Sequence, residues 1–110
     1  MKKVKLFEEF VLQDLEDKYN ITLDLYKHKK YLDLDRIIIP KEKRSDGLGT
    51  IIMQLIIDYA NQHNLPIFLT PSTDFGATSI KRLKQFYKGL GFVKNNDKSL
   101  TKNTMVKYPD

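Results

Sequence analysis

Arg44-Ser45-Asp46-Gly47-Leu48-Gly49 lies between an apolar run, Ile37-Ile38-Ile39, and a long apolar-periodic segment that starts at Leu48. Tyr31 to Ile39 reads as a strand closed by Pro40, which cannot donate to a ladder. From about Leu48 to His63, Ile52, Ile56, Tyr59 and Ala60 recur at helical spacing, and Ile51 and Leu55 widen the stripe. Gln54, Asp58, Asn61 and Gln62 fall on the opposite, solvent side. Pro66-Ile67-Phe68-Leu69-Thr70 follows as a short strand whose apolar character suits burial on both faces. Strand, helix, strand is a βαβ crossover. It should be right-handed and place a parallel pair at the centre of a mixed sheet. The fold class is therefore α/β (α+β).

Working outward, Phe7, Phe10, Val11, Leu15 and Tyr19 form an amphipathic stripe over Leu6 to Tyr19, with Asn20 as a helix stop. Ile21 to Leu25 alternates as a strand, and the polar turn Lys27 to Lys30 pairs it antiparallel with Tyr31–Ile39. Strict alternation on that second strand puts Asp33, Asp35, Ile37 and Ile39 on one face. Leu32, Leu34 and Ile38 take the other. Toward the C-terminus, Thr78 or Ser79 can cap a helix over Ile80 to Leu90, and Gly91 ends it. Phe92-Val93 begins a strand, Asn95-Asn96-Asp97 is a turn, and Met105 to Tyr108 is a last strand. The expected order is α-β-β-α-β-α-β-β, in one domain covering residues 1–110.

The chain has 110 residues, 41% hydrophobic and 30% charged, with no cysteine and two histidines, His28 and His63. A chain this long buries roughly 65% of its unfolded surface, enough for one core. The missing cysteines exclude disulfides, thiolate nucleophiles and Cys-based metal sites, and two histidines exclude a His-rich metal centre. No metal is expected. The net charge of +5 is unevenly placed: residues 1–40 hold eight Lys/Arg against eight Asp/Glu, and residues 41–110 eleven against six. A basic C-terminal half suits an anionic partner or, more blandly, a solvated lysine-rich surface. The longest uninterrupted apolar runs are three residues, where a membrane-spanning helix needs about 20. Glu8 and Glu9 stand where a signal peptide needs its apolar run, so a cytoplasmic protein is expected.

The glycine loop carries the chemistry. A helix N-terminus offers free N–H groups and partial positive charge to phosphate. Glycines let the backbone approach an anion with no Cβ in the way. Lys41, Lys43 and Arg44 add charge beside it. A Walker loop is excluded, because Thr50-Ile51 follows Gly49; a dinucleotide fingerprint is excluded, because its third glycine would fall at Ile52.

Two motifs at matching spacing carry a family resemblance. Arg44-x-x-Gly47-x-Gly49 after an apolar strand, and Phe86-Tyr87-Lys88-Gly89-Leu90-Gly91-Phe92 about forty residues later, resemble the GNAT acetyltransferase superfamily from about Ile21 to Tyr108. The stretch Leu69 to Gly76 and Lys81-Arg82-Leu83 look like a compact phage or prophage branch. The resemblance implies a mixed, mostly antiparallel sheet with a splayed central parallel pair. It implies acetyl-CoA as cofactor, with the loop (Lys43, Arg44, Ser45, Asp46, Gly47, Leu48, Gly49 and Thr50) holding the pyrophosphate. Main-chain N–H groups near Ile38 and Ile39 would polarise the thioester carbonyl, and Tyr87 would protonate the leaving thiolate. As a core aromatic, Tyr87 would instead be purely structural.

For the base the resemblance points to Asp33, eleven residues before Arg44, where some members carry a glutamate, with Asp35 two residues on. Baring a lysine amine at pH 7 costs about 4.6 kcal/mol. An aspartate, shorter by one methylene, would work through a water. Both carboxylates can equally be solvent-facing charges.

Where many members have a pantetheine-binding Asn, seven residues before the tyrosine, this chain has Ile80; Ser72, Thr73 or Ser79 are the available substitutes. The usual first strand and one acceptor-side helix are expected to be missing, which leaves the acceptor site open or completed by a second subunit, as in a homodimer. The expected reaction is acetyl transfer to an amine, on a protein, peptide or small molecule, by direct attack; without cysteine there is no acetyl-cysteine relay. Two alternatives are an acyl-CoA-binding protein that lost catalysis and a basic nucleic-acid module. Against the latter, Lys81, Arg82, Lys84 and Lys88 lack interleaved exposed aromatics for base stacking.

Overall fold

The computed structural model describes residues 2–3, 16–39, 47–72 and 79–110. Among them, six strands form one sheet in the order β1-β2-β3-β4-β6-β5. The strands are β1 Lys2–Lys3, β2 Thr22–Lys27, β3 Leu32–Ile38, β4 Ile67–Leu69, β5 Val93–Lys94 and β6 Met105–Lys107. The helices are α1 Leu48–Gln62 and α2 Ile80–Gly89; residues 16–19 are also helical. The rest of the expected first helix, residues 6–15, lies outside the described residues. The first strand, expected to be missing, is present as a stub: Lys2 and Lys3 pair antiparallel with Lys27 and Tyr26.

β3 and β4 are the parallel pair, and the other four pairings are antiparallel. β4 and β5 both run antiparallel to β6, so β3, β4 and β5 share one direction. Two right-handed crossovers stepping the same way across a sheet set both helices over the same face. Ile52 and Ile56 of α1 and Tyr87 of α2 indeed join Leu23, Leu34 and Leu69 in one buried cluster. The far face carries the alternate residues, with Tyr26, Asp33, Phe68 and Val106 side by side in register. Tyr31 meets Phe68 edge-on there, with centroids 5.4 Å apart.

β3 departs from the alternation read in its sequence. Leu25 pairs with Leu34, but Asp24 pairs with Arg36, so Asp35 is an extra residue opposite β2. Such a bulge bends the strand and re-aims the side chains beyond it. Ile37 and Ile39 therefore pack against the same core cluster as Leu34, not on the face of Asp33. The Arg36 guanidinium fastens the bulged strand to β2: its Nε donates to Asp24 Oδ2 at 2.6 Å. Asp24 is nearly buried at 9% exposure.

α1 is rotated slightly from its expected stripe. Leu48, Ile52, Met53, Ile56, Ile57, Tyr59 and Ala60 are buried, whereas Ile51 is 55% exposed. Broad two-sided burial of Met53 and Ile57 turns Ile51 out to solvent. No helix among the described residues is long and apolar enough to cross a membrane. The rotation predicts that Ile57→Ala costs about 2–5 kcal/mol, while Ile51→Ala stays within about 0.5 kcal/mol. Urea denaturation of both variants checks this, and equal losses would contradict the helix's orientation.

Candidate active site

β3 and β4 stay paired only through Leu32–Ile67, Asp33–Phe68 and Leu34–Leu69. Beyond that point β4 ends, while β3 continues beside β2 to Ile38. The stretch of β3 from Asp35 to Ile38 thus has no strand against it on β4's side among the described residues. Backbone groups left without a ladder need other partners.

A cavity of about 310 Å³ opens at this parting. Leu34, Asp35, Arg36, Ile37 and Ile39 form one wall, and Leu69, Thr70, Pro71 and Ser72 form the other. Arg82, Leu83, Phe86 and Tyr87 close it from α2, and Gly49 closes it from α1. The lining is mostly apolar with a few polar groups, the usual make-up of a small-molecule site.

Gly47 is the N-cap of α1 at φ 73, left-handed, with no side-chain cap bond. A Cβ built on Gly47 would meet nothing within 4 Å, so open space lies against this turn. A Cβ on Gly49 would come 3.3 Å from Ile39 Cδ1 and 3.7 Å from Phe86 Cζ. No acidic residue stands in the helix's first turn. The start of α1 therefore presents N–H groups with no side-chain cap among the described residues next to the cavity mouth, with the partial positive charge of a helix N-terminus. Leu48 sends its side chain into the core and Thr50 is exposed. Lys43, Arg44, Ser45 and Asp46 lie outside the described residues.

Tyr87 reaches the cavity from the last turns of α2. Its carbonyl accepts from the N–H of both Leu90 (3.0 Å) and Phe92 (3.0 Å), a wrap that Gly91 permits at φ 106. The wrap tucks Phe92 beneath the tyrosine. The ring sits edge-on to Phe86 and Phe92 at 5.3 and 5.6 Å and is 6% exposed. Burial pushes its phenol above the usual value, because low dielectric disfavours the phenolate. Among the described residues no hydrogen bond holds its hydroxyl.

Asp33 is not in the cavity lining. It sits on the far face, where Asn103 Nδ2 donates to its Oδ1 at 3.2 Å. Desolvation raises its carboxyl above the ordinary value, Asp35 adds to the rise, and the Asn103 bond and His28 oppose it. Asp35, on the bulge, is exposed and lines the cavity. Ile39 lines the cavity and Ile38 does not. Ser79 is occupied as the N-cap of α2, accepting from Arg82 N–H at 3.1 Å; Ser72 does line the cavity, and Thr73 lies outside the described residues. The roles of Arg82 as cavity wall and Asn103 as Asp33's partner were not legible beforehand. Arg82 lies on α2 among charged residues that read as a solvated face, and Asn103 is a loop residue with no periodicity to betray what it touches. No group of three potential metal-ligating side chains occurs among the described residues.

Two similar solved structures fit this architecture. The anti-CRISPR protein AcrVA5 matches with a TM-score of 0.63 at 19% identity, over 76% of this chain and 85% of that one. Ard1 from Thermoplasma volcanium matches with a TM-score of 0.54 at 15% identity, over 94% and 81%. The fold is GNAT-like. No family model matches the sequence, and no curated protein does. At these identities the likeness is one of fold.

The two loop glycines should respond differently to alanine. Gly47→Ala forces a Cβ into left-handed backbone and should cost about 1–2 kcal/mol. Gly49→Ala gains up to about 1 kcal/mol of helix propensity against a small shift of the Ile39 methyl end, so stability should hold or rise. Thermal unfolding decides; the reverse order would contradict this geometry.

Proposed function

We propose that the protein is an acetyl-CoA-dependent N-acetyltransferase acting by direct attack of an amine. The observation that carries this reading is the parting of β3 and β4 beside the N-terminus of α1 and the buried Tyr87. A cavity of about 310 Å³ is at the small end of ligand sites (~300–1,000 Å³). It suits a slender acyl-pantetheine arm, with the phosphates left outside over the start of α1. Gly47 offers open space there and Gly49 keeps the mouth clear. The amides of Leu48, Gly49 and Thr50 are the donors such phosphates would meet, with Lys43, Arg44, Ser45 and Asp46 as their loop neighbours. Arg82 and Ser72 are the polar groups in the cavity best set to serve in place of the missing Asn at Ile80.

Acetyl-CoA supplies an activated thioester carbonyl. Main-chain N–H groups near Ile38 and Ile39, on the stretch of β3 beyond its pairing with β4, would stabilise negative charge as it builds on that carbonyl's oxygen. The amine nitrogen forms a C–N bond to the carbonyl carbon and the C–S bond breaks. The Tyr87 hydroxyl gives its proton to the departing sulfur. Its raised pKa keeps it protonated through neutral pH, so the limit it sets on activity lies on the alkaline side, above the ordinary tyrosine range.

In this reading the ammonium's proton goes through a water to Asp33, which lies outside the cavity lining on the sheet face opposite Tyr87. Base and acid then attend different faces of the sheet, one for the acceptor and one for the thioester. The base must be ionised, so activity falls as pH drops through Asp33's raised pKa, above the ordinary aspartate range. Asp35 is the rival carboxylate because it lines the cavity. The second proton lost from the nitrogen as the amide forms restores Tyr87, Asp33 gives its proton to water, and the products are the N-acetyl amine, coenzyme A and a proton. The acceptor in this reading is an amine, such as a protein lysine or N-terminus.

Calorimetric titration with coenzyme A should show binding, and Gly49→Val should weaken it about tenfold or more. No binding by the wild type at millimolar ligand overturns the proposal. Tyr87→Phe should lower kcat while sparing coenzyme A affinity. Asp33→Asn should lower turnover at every pH, and a loss confined to Asp35→Asn would move the base to Asp35. Binding without transfer to any peptide or small amine would mark a coenzyme A-binding protein instead.

A further inference from the structure

Asn103 has every polar atom engaged. Its side-chain Nδ2 donates to Asp33 Oδ1 at 3.2 Å and to Thr101 Oγ1 at 2.9 Å. Its Oδ1 accepts from Thr70 Oγ1 at 2.7 Å. Its N–H donates to Thr101 Oγ1 at 3.2 Å. Its carbonyl accepts from Asn95 Nδ2 at 2.9 Å and from Lys98 Nζ at 2.8 Å. Thr70 Oγ1 also accepts from the Thr104 N–H at 3.1 Å. The Asp33 carboxylate, which only accepts when ionised, fixes which way round the amide lies, with Nδ2 towards Asp33 and Oδ1 towards Thr70. Only a group with an acceptor and a two-hydrogen donor on one plane can serve a hydroxyl and two acceptors together. Serine and aspartate cannot.

The three residues come from distant parts of the chain and meet where the sheet opens. Thr70 follows the last residue of β4 and belongs to the cavity wall. Asp33 is the last residue but one of β3 still paired with β4 before the strands part. Asn103 belongs to the connection between β5 and β6, which is pinned from beneath by Asn95, 1% exposed.

We propose that Asn103 is a positioning residue: its amide ties the Asp33 carboxylate to the Thr70 wall of the slot, holding the carboxylate ionised and in place for the incoming amine. This rests on the reading of Asp33 as the base. A hydrogen bond donated to a carboxylate favours its charged form. The other groups around Asp33 are Asp35 on its own strand and His28 at the β2–β3 turn. Tyr26 is its register partner on β2, and uncharged Phe68 is its partner on β4. Among the described residues, Asn103 is the side chain hydrogen-bonded to the Asp33 carboxylate.

The test is the titration of the Asp33 carboxyl carbon by NMR in the wild type, Asn103→Ala and Asn103→Ser, with kcat/KM for acetyl transfer to a lysine peptide measured over the same pH range. Asn103→Ser retains part of the donor capacity in case alanine unsettles the loop. The expected result is a carboxyl midpoint moved to higher pH, further in alanine than in serine. The acid limb of kcat/KM should move with it, so that the loss is large at low pH and small at high pH. An unmoved midpoint in a folded variant overturns the inference. A moved midpoint with an unmoved acid limb overturns Asp33 as the base, and with it the role given to Asn103; the two failures are told apart by which readout stays still.

Discussion

The bulge at Asp35 is the constraint on which the site depends. A strand in the middle of a sheet is ordinarily paired on both sides for its whole length. Here β3 is held against β2 through Ile38 but loses β4 after Leu34. The Asp24–Arg36 pair, 2.6 Å at Nε, keeps the bulged strand on the β2 side. Opening a sheet leaves polar backbone exposed inside a fold, a cost that a ligand able to bond those groups offsets. The same bulge turns Ile37 and Ile39 onto the helix side, where they become walls of the cavity instead of far-face residues.

Everything else at the site is arranged around that opening. The crossover from β3 to β4 brings the start of α1 to one end, with Gly47 open and Gly49 close against Ile39. The second crossover, stepping the same way, brings α2 over the same face and Tyr87 into the cavity. Asp33 remains on the other face, tied to Thr70 through Asn103. Two titratable groups, both made less ready to ionise by burial, thus sit on opposite faces of the sheet, Tyr87 in the cavity lining and Asp33 outside it. Both being protonation-biased in the same direction suits Tyr87 as a proton donor more directly than Asp33 as an acceptor. That is why a hydrogen bond that favours the Asp33 carboxylate matters to the account.

Much of the fold was legible because it rests on local periodicity. The βαβ unit, the cap at Ser79 and the stop at Gly91 follow from apolar spacing and from glycine and serine chemistry at helix ends. The cavity's Tyr87 and Gly49 were legible through the spacing of two motifs. The bulge was not: Leu32-Asp33-Leu34-Asp35 alternates faultlessly in sequence, and the extra residue appears only in the pairing with β2. Hence Asp33 and Asp35, assigned to one face, are parted, and only Asp35 lines the cavity. The rotation of α1 that exposes Ile51 and buries Ile57 escaped because the helix is apolar around much of its circumference. Asn103 escaped because its partners lie up to 70 positions away in sequence, and the stub β1 because two lysines carry no strand signal.

The central claim is that the open edge of β3 and the start of α1 bind one ligand together. Backbone amide NMR during titration with coenzyme A tests it most directly. The account predicts that the largest shifts fall on residues 35–39 and 47–50, with Tyr87 following. Shifts confined to other surfaces, or shifts at α1 alone with β3 unmoved, would contradict it.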